Sequence, residues 1–417
     1  YQGSVLEHLL LQHLCAFYEV GAHNHIKLRG ADWNDALDMA AENGESVAFT
    51  CAYAGNLLQL AKLLAVLSEQ SDWQETDVLA ELQVLLADDV RLYEDIAAKE
   101  ELLQRYLLRC QHNISGERIT VSVKELAQNL KHKAEWMADH IRRTEWIEKD
   151  GNEDEGWFNS YYDNNKAPVE GYFEQGVRMM LTGQVFAIMS KTAQEEQVAK
   201  ICKSADRYLY QKEIGGYRLN TDFHEQKFDL GRMFGFAYGE KENGAVFSHM
   251  TVMYANALYQ RGFVAEGYKA LQTLADAAMN FSVSRIYPGI PEYFNASGRG
   301  MYHYLTGAAS WYMLTVVTQV FGVRGEIGNM MLCPKLRGEQ FDAEGTAQIW
   351  LQFAQKEFQI IYKNPLKLSY GEYAIKKAFC DGQVELTVLG KAAILDRKTI
   401  VSLSDAVHKI EVELGKK

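Results

Sequence analysis

Hydrophobic positions recur at helical spacing over most of the chain and at strand spacing only towards its end. Residues 4–20 place apolar side chains every third or fourth position, which predicts a helix. Residues 46–68 are almost continuously apolar behind Ser46, a good capping residue, which predicts a second. Leu-rich amphipathic stretches at 75–112 and 121–149 predict further helices, with HNISGERI as the turn between them and their charges on a solvated face. KDGNEDEG at 149–156 reads as an acidic loop. From residue 156 the pattern shortens. Loops rich in Gly, aromatic and polar residues precede helices near 182–194, 196–209, 248–262, 264–280 and 304–321. Antiparallel helix pairs alternating with such loops predict a helical barrel with its site at one end. Beyond about 335, the runs AQIWLQF, EFQIIY, VELTVLG, TIVSLS and KIEVEL turn to β-branched and aromatic residues. They predict a small all-β domain over 336–417, a packing partner with no chemistry of its own.

Composition narrows the classes. A length of 417 residues suits two domains, and 47% hydrophobic with 24% charged residues describes a globular chain. A net charge of −12 leaves no basic excess to meet nucleic acid or an anionic membrane, although one cationic pocket for a small anion fits within it. Cys15, Cys51, Cys110, Cys202, Cys333 and Cys380 are scattered, without metal-binding spacing. Reduced thiols of a cytoplasmic protein are expected, and no metal. No apolar run reads as long enough to span a bilayer, and no signal-peptide pattern opens the chain. The chain begins inside a helical pattern without Met, so we expect it to be the C-terminal part of a longer protein.

Chemistry concentrates in a few loops. In KLRGADWNDALDMA, two carboxylates, Asp32 and Asp35, flank Trp33 and Asn34. Sugar cleavage needs an acid for the leaving oxygen and an aromatic face for the ring. The competing reading is a helix start, with Asp32 or Asn34 as N-cap and Trp33 turned inward. Lys241-Glu242-Asn243-Gly244 leads to His249 at the start of an apolar helix, where free N–H groups and the helix dipole suit an anion. His249 reads equally as a cap or core residue. In Tyr304-Leu305-Thr306-Gly307, Thr306 is either a phosphate-facing hydroxyl or an N-cap. The stretch 287–300, with Glu292, and GWFNSYYDNN read as substrate loops or as ordinary loops. One acid with an anion pocket fits phosphorolysis better than hydrolysis, because phosphate brings its own charge and needs positioning rather than a base. A hydrolase would need a second carboxylate, for which Asp163 and Glu292 are the candidates. A non-catalytic sugar-binding subunit is the other alternative.

ADWNDALDMA, GESV, KENG…SH, YLTGAASW, RMMLTGQVFAIMS and GGYRLNT resemble the family 94 glycoside hydrolases, inverting phosphorylases of β-glucosides. The likeness spans most of the chain apart from about 70–150. It implies an (α/α)6 barrel, here its C-terminal portion over 1–335 and incomplete as a barrel, followed by a C-terminal β-sandwich over 336–417: a mainly α fold. It implies Asp35 as general acid, with Asp32 orienting its loop. It further implies phosphate at His249, Thr306 and Gly307, and sugar contacts at Trp33 and Lys241; Glu292 and Tyr304, from the aromatic and polar loops around them, are expected to contact the sugar as well. Inorganic phosphate is then a co-substrate and no cofactor is needed. The partners implied are a β-glucan oligosaccharide and phosphate, with a homodimer in keeping with the family. Many members read GDWNDG where this chain has ADWNDA. With the loop PEYFNASGRGMYHYLTG, this looks closest to the β-1,2-oligoglucan branch. An upstream segment that brings phosphate- and glucose-binding Arg and Asp residues in the family is not found in this chain.

Overall fold

The computed structural model describes residues 2–149, 151–287 and 289–417. The chain opens with α1 (Val5–Tyr18), started by a reciprocal cap in which Ser4 Oγ accepts from Glu7 N and Glu7 Oε2 accepts from Ser4 N. α2 (Val47–Gln70) begins where expected, with Ser46 Oγ accepting from Phe49 N at 2.9 Å. By length and composition α2 is apolar enough to cross a membrane, which corrects the expectation that no run is. It packs against α5 (Val123–Thr144) and α6 (Leu181–Met189), as a core helix does.

The stretch 75–112 departs from the helical expectation. Glu75–Leu79 and Arg118–Ser122 form an antiparallel pair, Glu75 opposite Ser122. Thr76, Val78, Ile119 and Val121 alternate at strand spacing, a signal hidden in the sequence by the Leu-rich segment that follows. A 3-10 stretch, Ala80–Leu86, then leads to α3 (Val90–Glu94) and α4 (Ile96–Cys110). The run expected as an acidic loop is instead mostly strand: Asn152–Phe158 pairs with Trp146–Lys149, and Asp150 lies outside the described residues.

The remaining helices are α7 (Glu195–Tyr208), α8 (Ser248–Arg261), α9 (Val264–Met279), α10 (Phe281–Ser284) and α11 (Gly307–Thr315), which runs on into a π-helical turn, Val316–Val320. α2, α6, α8 and α11 pack in succession, α5 lies on α2 and α9 on α8. α8 is buried continuously from Met250 to Tyr259, the pattern of a helix enclosed on all sides.

Strands appear earlier than the expected boundary at 335/336. Val323–Glu326 and Asn329–Leu332 form a hairpin that joins Ala392–Leu395 and Thr387–Leu389 in a four-stranded antiparallel sheet. Its turn, Ile327-Gly328, holds φ of 48° and 82°, a two-residue turn matched to strand twist. A five-stranded sheet holds Thr346–Phe353, Lys356–Lys363, Val407–Lys416, Tyr373–Cys380 and Val384–Glu385, with Lys356–Lys363 and Val407–Lys416 parallel. Tyr373–Cys380 also touches the first sheet. A short helix, α12 (Arg397–Ser402), interrupts the strands, so this region is not purely β. One apolar core runs from α6 and α8 into Phe358, Ile360, Ile410 and Val412. Lys335 Nζ bonds the Tyr259 carbonyl at the end of α8 and Gln319 Oε1, fastening the junction.

Candidate active site

The N-termini of α2, α6 and α8 are laced together by their preceding loops. Val47 N and Ala48 N donate to the Ser160 carbonyl at 3.0 and 3.2 Å. Leu181 N donates to Leu219 O, Leu219 N to Ala245 O, and Ser248 N to Glu292 O. The strands Glu45–Ser46 and Tyr161–Tyr162 pair, as do Val246–Phe247, Tyr293–Phe294 and Gly300–Met301. These loops therefore meet at one end of the helical arc.

The acid loop, residues 29–40, forms turns and not the short helix its sequence suggested. Asp32 does not cap a helix. Its Oδ1 accepts from Asn34 N and its Oδ2 from Ser46 Oγ at 2.7 Å, tying the loop to the cap of α2. Burial pushes the Asp32 carboxyl up. Ala31 holds φ of 149°, a region glycine occupies without strain. Trp33 turns inward and sets its ring edge-on to Phe247 at 5.6 Å and to His249 at 5.5 Å. Asp35 points out, its side chain 82% exposed.

His249 lies in the first turn of α8. Its ring is 5.8 Å from Trp311, and Gly307 sits against it. Burial lowers its pKa, which favours the neutral imidazole, and Nε2 is buried without a protein partner. Thr306 is the N-cap of α11, accepting from Ala308 N at 3.3 Å, so its capping reading is realised. The first N–H groups of α11 have no intrahelical acceptor.

Lys241 holds φ of 49° in the KENG turn and places Nζ 4.8 Å from the centre of the Phe236 ring. Its described contacts do not bring it to His249. Glu292 is partly buried, and its pKa is raised by burial and then by the charges of Glu242 and Asp35. Aromatic rings continue from Phe247 to Tyr293 at 6.0 Å, Tyr302 at 5.8 Å and the exposed Tyr304 at 5.8 Å. GWFNSYYDNN, by contrast, goes into the core: Trp157, Phe158 and Tyr161 are buried. Asp163 is committed to a 2.6 Å ion pair with the buried Lys227. Pro288 lies outside the described residues.

Three residues escaped the sequence reading. Asn220 Oδ1 accepts from Gly244 N, and its Nδ2 bonds Asn243 Oδ1. Arg218 donates to the Gly244 carbonyl. Together they hold the KENG turn. Arg232 donates to the Asp35 carbonyl at 2.8 Å.

Residues 117–322 match the family model "Glycosyl hydrolase 94 superfamily, catalytic domain". Over this span the chain is similar to glycosyl hydrolase family 94. The matched span contains His249, Thr306 and Gly307, while the acid loop precedes it. Among curated proteins, a cellobionic acid phosphorylase of Neurospora crassa is 26% identical over 38% of this chain and 22% of its own length. A solabiose phosphorylase of Paenibacillus borealis is 23% identical over 76% of this chain and 34% of its own length. A 3-O-β-D-glucopyranosyl-β-D-glucuronide phosphorylase of the same organism is 24% identical over 50% of this chain and 27% of its own length. The chain thus spans between 22% and 34% of the length of these curated relatives. A solved sialidase aligns over 85% of this chain and 27% of its own, with TM-score 0.44 and 9% identity, too loose a likeness to carry an argument.

Proposed function

We propose that the chain carries the acid and the phosphate pocket of an inverting glycoside phosphorylase acting on a β-linked glucose oligosaccharide. The observation that carries this reading is Trp33: the loop that bears Asp35 also packs a ring against His249, so acid and anion pocket share one wall. Asp35 protonates the glycosidic oxygen as the C1–O bond breaks. A phosphate oxygen, held at His249 and the N-terminus of α11, attacks C1 from the opposite face. The products are α-glucose 1-phosphate and the shortened sugar, and the phosphate's own proton restores Asp35. Phosphate is the co-substrate and no cofactor enters the chemistry. A hydrolytic base is poorly provided for: Asp163 is ion-paired, and Glu292 is pushed towards its protonated form. A β-1,2-linked glucan is the favoured substrate, on the resemblance of the loop 291–307, with a cellobiose-like sugar next.

The test is release of α-glucose 1-phosphate from β-1,2-, β-1,3- and β-1,4-linked glucose oligomers, with and without phosphate, using the full-length protein that contains this chain. Phosphate-dependent release that Asp35→Asn abolishes is expected. Release independent of phosphate, or an Asp35→Asn variant of undiminished rate, would overturn the reading.

A further inference from the structure

Asp35 is exposed, yet its position is not left to solvent. Arg232 lies 197 residues further on, in the 3-10 turn Arg232–Gly235. One guanidinium nitrogen donates to the Asp35 carbonyl at 2.8 Å and also bonds Asp38; the other lies 3.7 Å from Asp35 Oδ1. The Arg232 amide donates to Asp38 Oδ1. The backbone around it is clasped to the acid loop, Met233 N to Ala36 O at 3.1 Å and Met39 N to Leu230 O at 3.2 Å. Gly231 permits this approach, since a Cβ there would lie 2.1 Å from the Ala36 carbonyl oxygen. The guanidinium is therefore delivered by a fixed backbone and is not a free surface side chain.

We infer that Arg232 is the positioning residue of the acid, holding Asp35 in place for both directions of the reaction. The inference rests on the reading of Asp35 as proton donor. The charged groups around Asp35 come from each neighbouring segment. Arg232 faces it from the 3-10 turn. Asp38, on the same loop, is committed to Arg232. Glu292 faces it from the strand edge before Tyr293, and Glu242, from the KENG turn, acts on both Arg232 and Glu292. Phosphorolysis needs the Asp35 proton in place, whereas synthesis needs a carboxylate to take the proton of the acceptor hydroxyl. In either direction the carboxyl must stand against the glycosidic oxygen.

The test compares Arg232→Gln and Arg232→Lys with the unaltered full-length protein, following kcat and the KM for sugar and for phosphate in both directions. Arg232→Gln should lower kcat by about tenfold in both directions through misplacement of the acid, with each KM changed by less than about twofold. Arg232→Lys, which keeps the charge but lacks the planar fork that reaches Asp35 and Asp38 together, should recover only part of that rate. An Arg232→Gln variant that behaves as the unaltered protein, or whose loss falls on KM with kcat unmoved, overturns the inference while leaving Asp35 as the acid. An unaltered protein without phosphorolysis, or an active Asp35→Asn variant, overturns the reading of Asp35 and the inference together.

Discussion

Gly307 lies flat against the imidazole of His249: a Cβ at this position would stand 2.9 Å from both Cε1 and Nδ1 of the ring. The close approach of α11 to α8 therefore depends on the absence of one methyl group. Gly307→Ala should push the ring aside and raise KM for phosphate by about tenfold or more, an effect worth about 1.4 kcal/mol. Its melting temperature should stay within a few degrees, since Ala is the better helix former by about 1 kcal/mol. Steady-state kinetics with phosphate varied at saturating sugar make the check; an unchanged phosphate KM would remove His249 from the pocket.

Gly231 makes the same demand beside Asp35. Here the obstacle is backbone, the Ala36 carbonyl, which cannot swing away as a side chain can. Gly231→Ala should cost about 1–3 kcal/mol of stability through overpacking. It should also lower activity by about a hundredfold, because the Asp35 loop must shift. Denaturant midpoints and turnover measured on one preparation separate the two effects.

Glu145 sets the acid limit of stability behind the site. Its buried carboxylate accepts from His25 Nε2 at 3.0 Å, Asn159 Nδ2 at 3.0 Å and the Tyr162 hydroxyl. Burial pushes its pKa up, but these donors and the His25 charge outweigh burial and hold it at about 2 against an ordinary 4.5. A carboxyl with a lowered folded pKa stabilises the fold above its unfolded pKa, and that contribution is lost as pH falls from 4.5 towards 2. The loss amounts to about 3 kcal/mol. Urea midpoints between pH 6 and pH 2 should fall more steeply for the unaltered protein than for Glu145→Gln.

His408 works in the opposite sense. Its Nδ1 donates to Asp381 Oδ2 at 2.7 Å and its Nε2 faces the Ser404 carbonyl at 3.1 Å, so both ring nitrogens meet acceptors. The Asp381 hydrogen bond raises its pKa. A His with a raised folded pKa contributes fully below the unfolded value, and its contribution is lost as pH rises through the folded one. Asp381→Asn should therefore lower the melting temperature more at pH 5.5 than at pH 8.5. Cys380 lies within 4.8 Å of both partners, and burial pushes its thiol up to about 11.

The helices were legible where apolar spacing and capping agreed, as for α1 behind Ser4 and α2 behind Ser46. The strands Glu75–Leu79 and Val323–Glu326 were not, because each adjoins apolar residues that continue a helical pattern and its partner strand lies beyond a loop. Motif residues such as Trp33 and His249 were found, and the structure brings them into ring contact. Arg232 was invisible, since its meaning comes from Asp35, 197 positions away. Composition could not separate the buried rings of Trp157 and Tyr161 from the exposed ring of Tyr304, because a sugar platform and a core use the same side chains.

The shared carbonyls at the head of the helices have a kinetic consequence. Val47, Leu181, Leu219 and Ser248 each donate across a loop boundary to a residue of another segment. None of these loops can open alone without releasing a neighbour's amide. In hydrogen exchange such amides lose protection as one cooperative unit, at a single opening free energy. The head of the arc thus admits deuterium all at once, where independent loops would do so piecemeal.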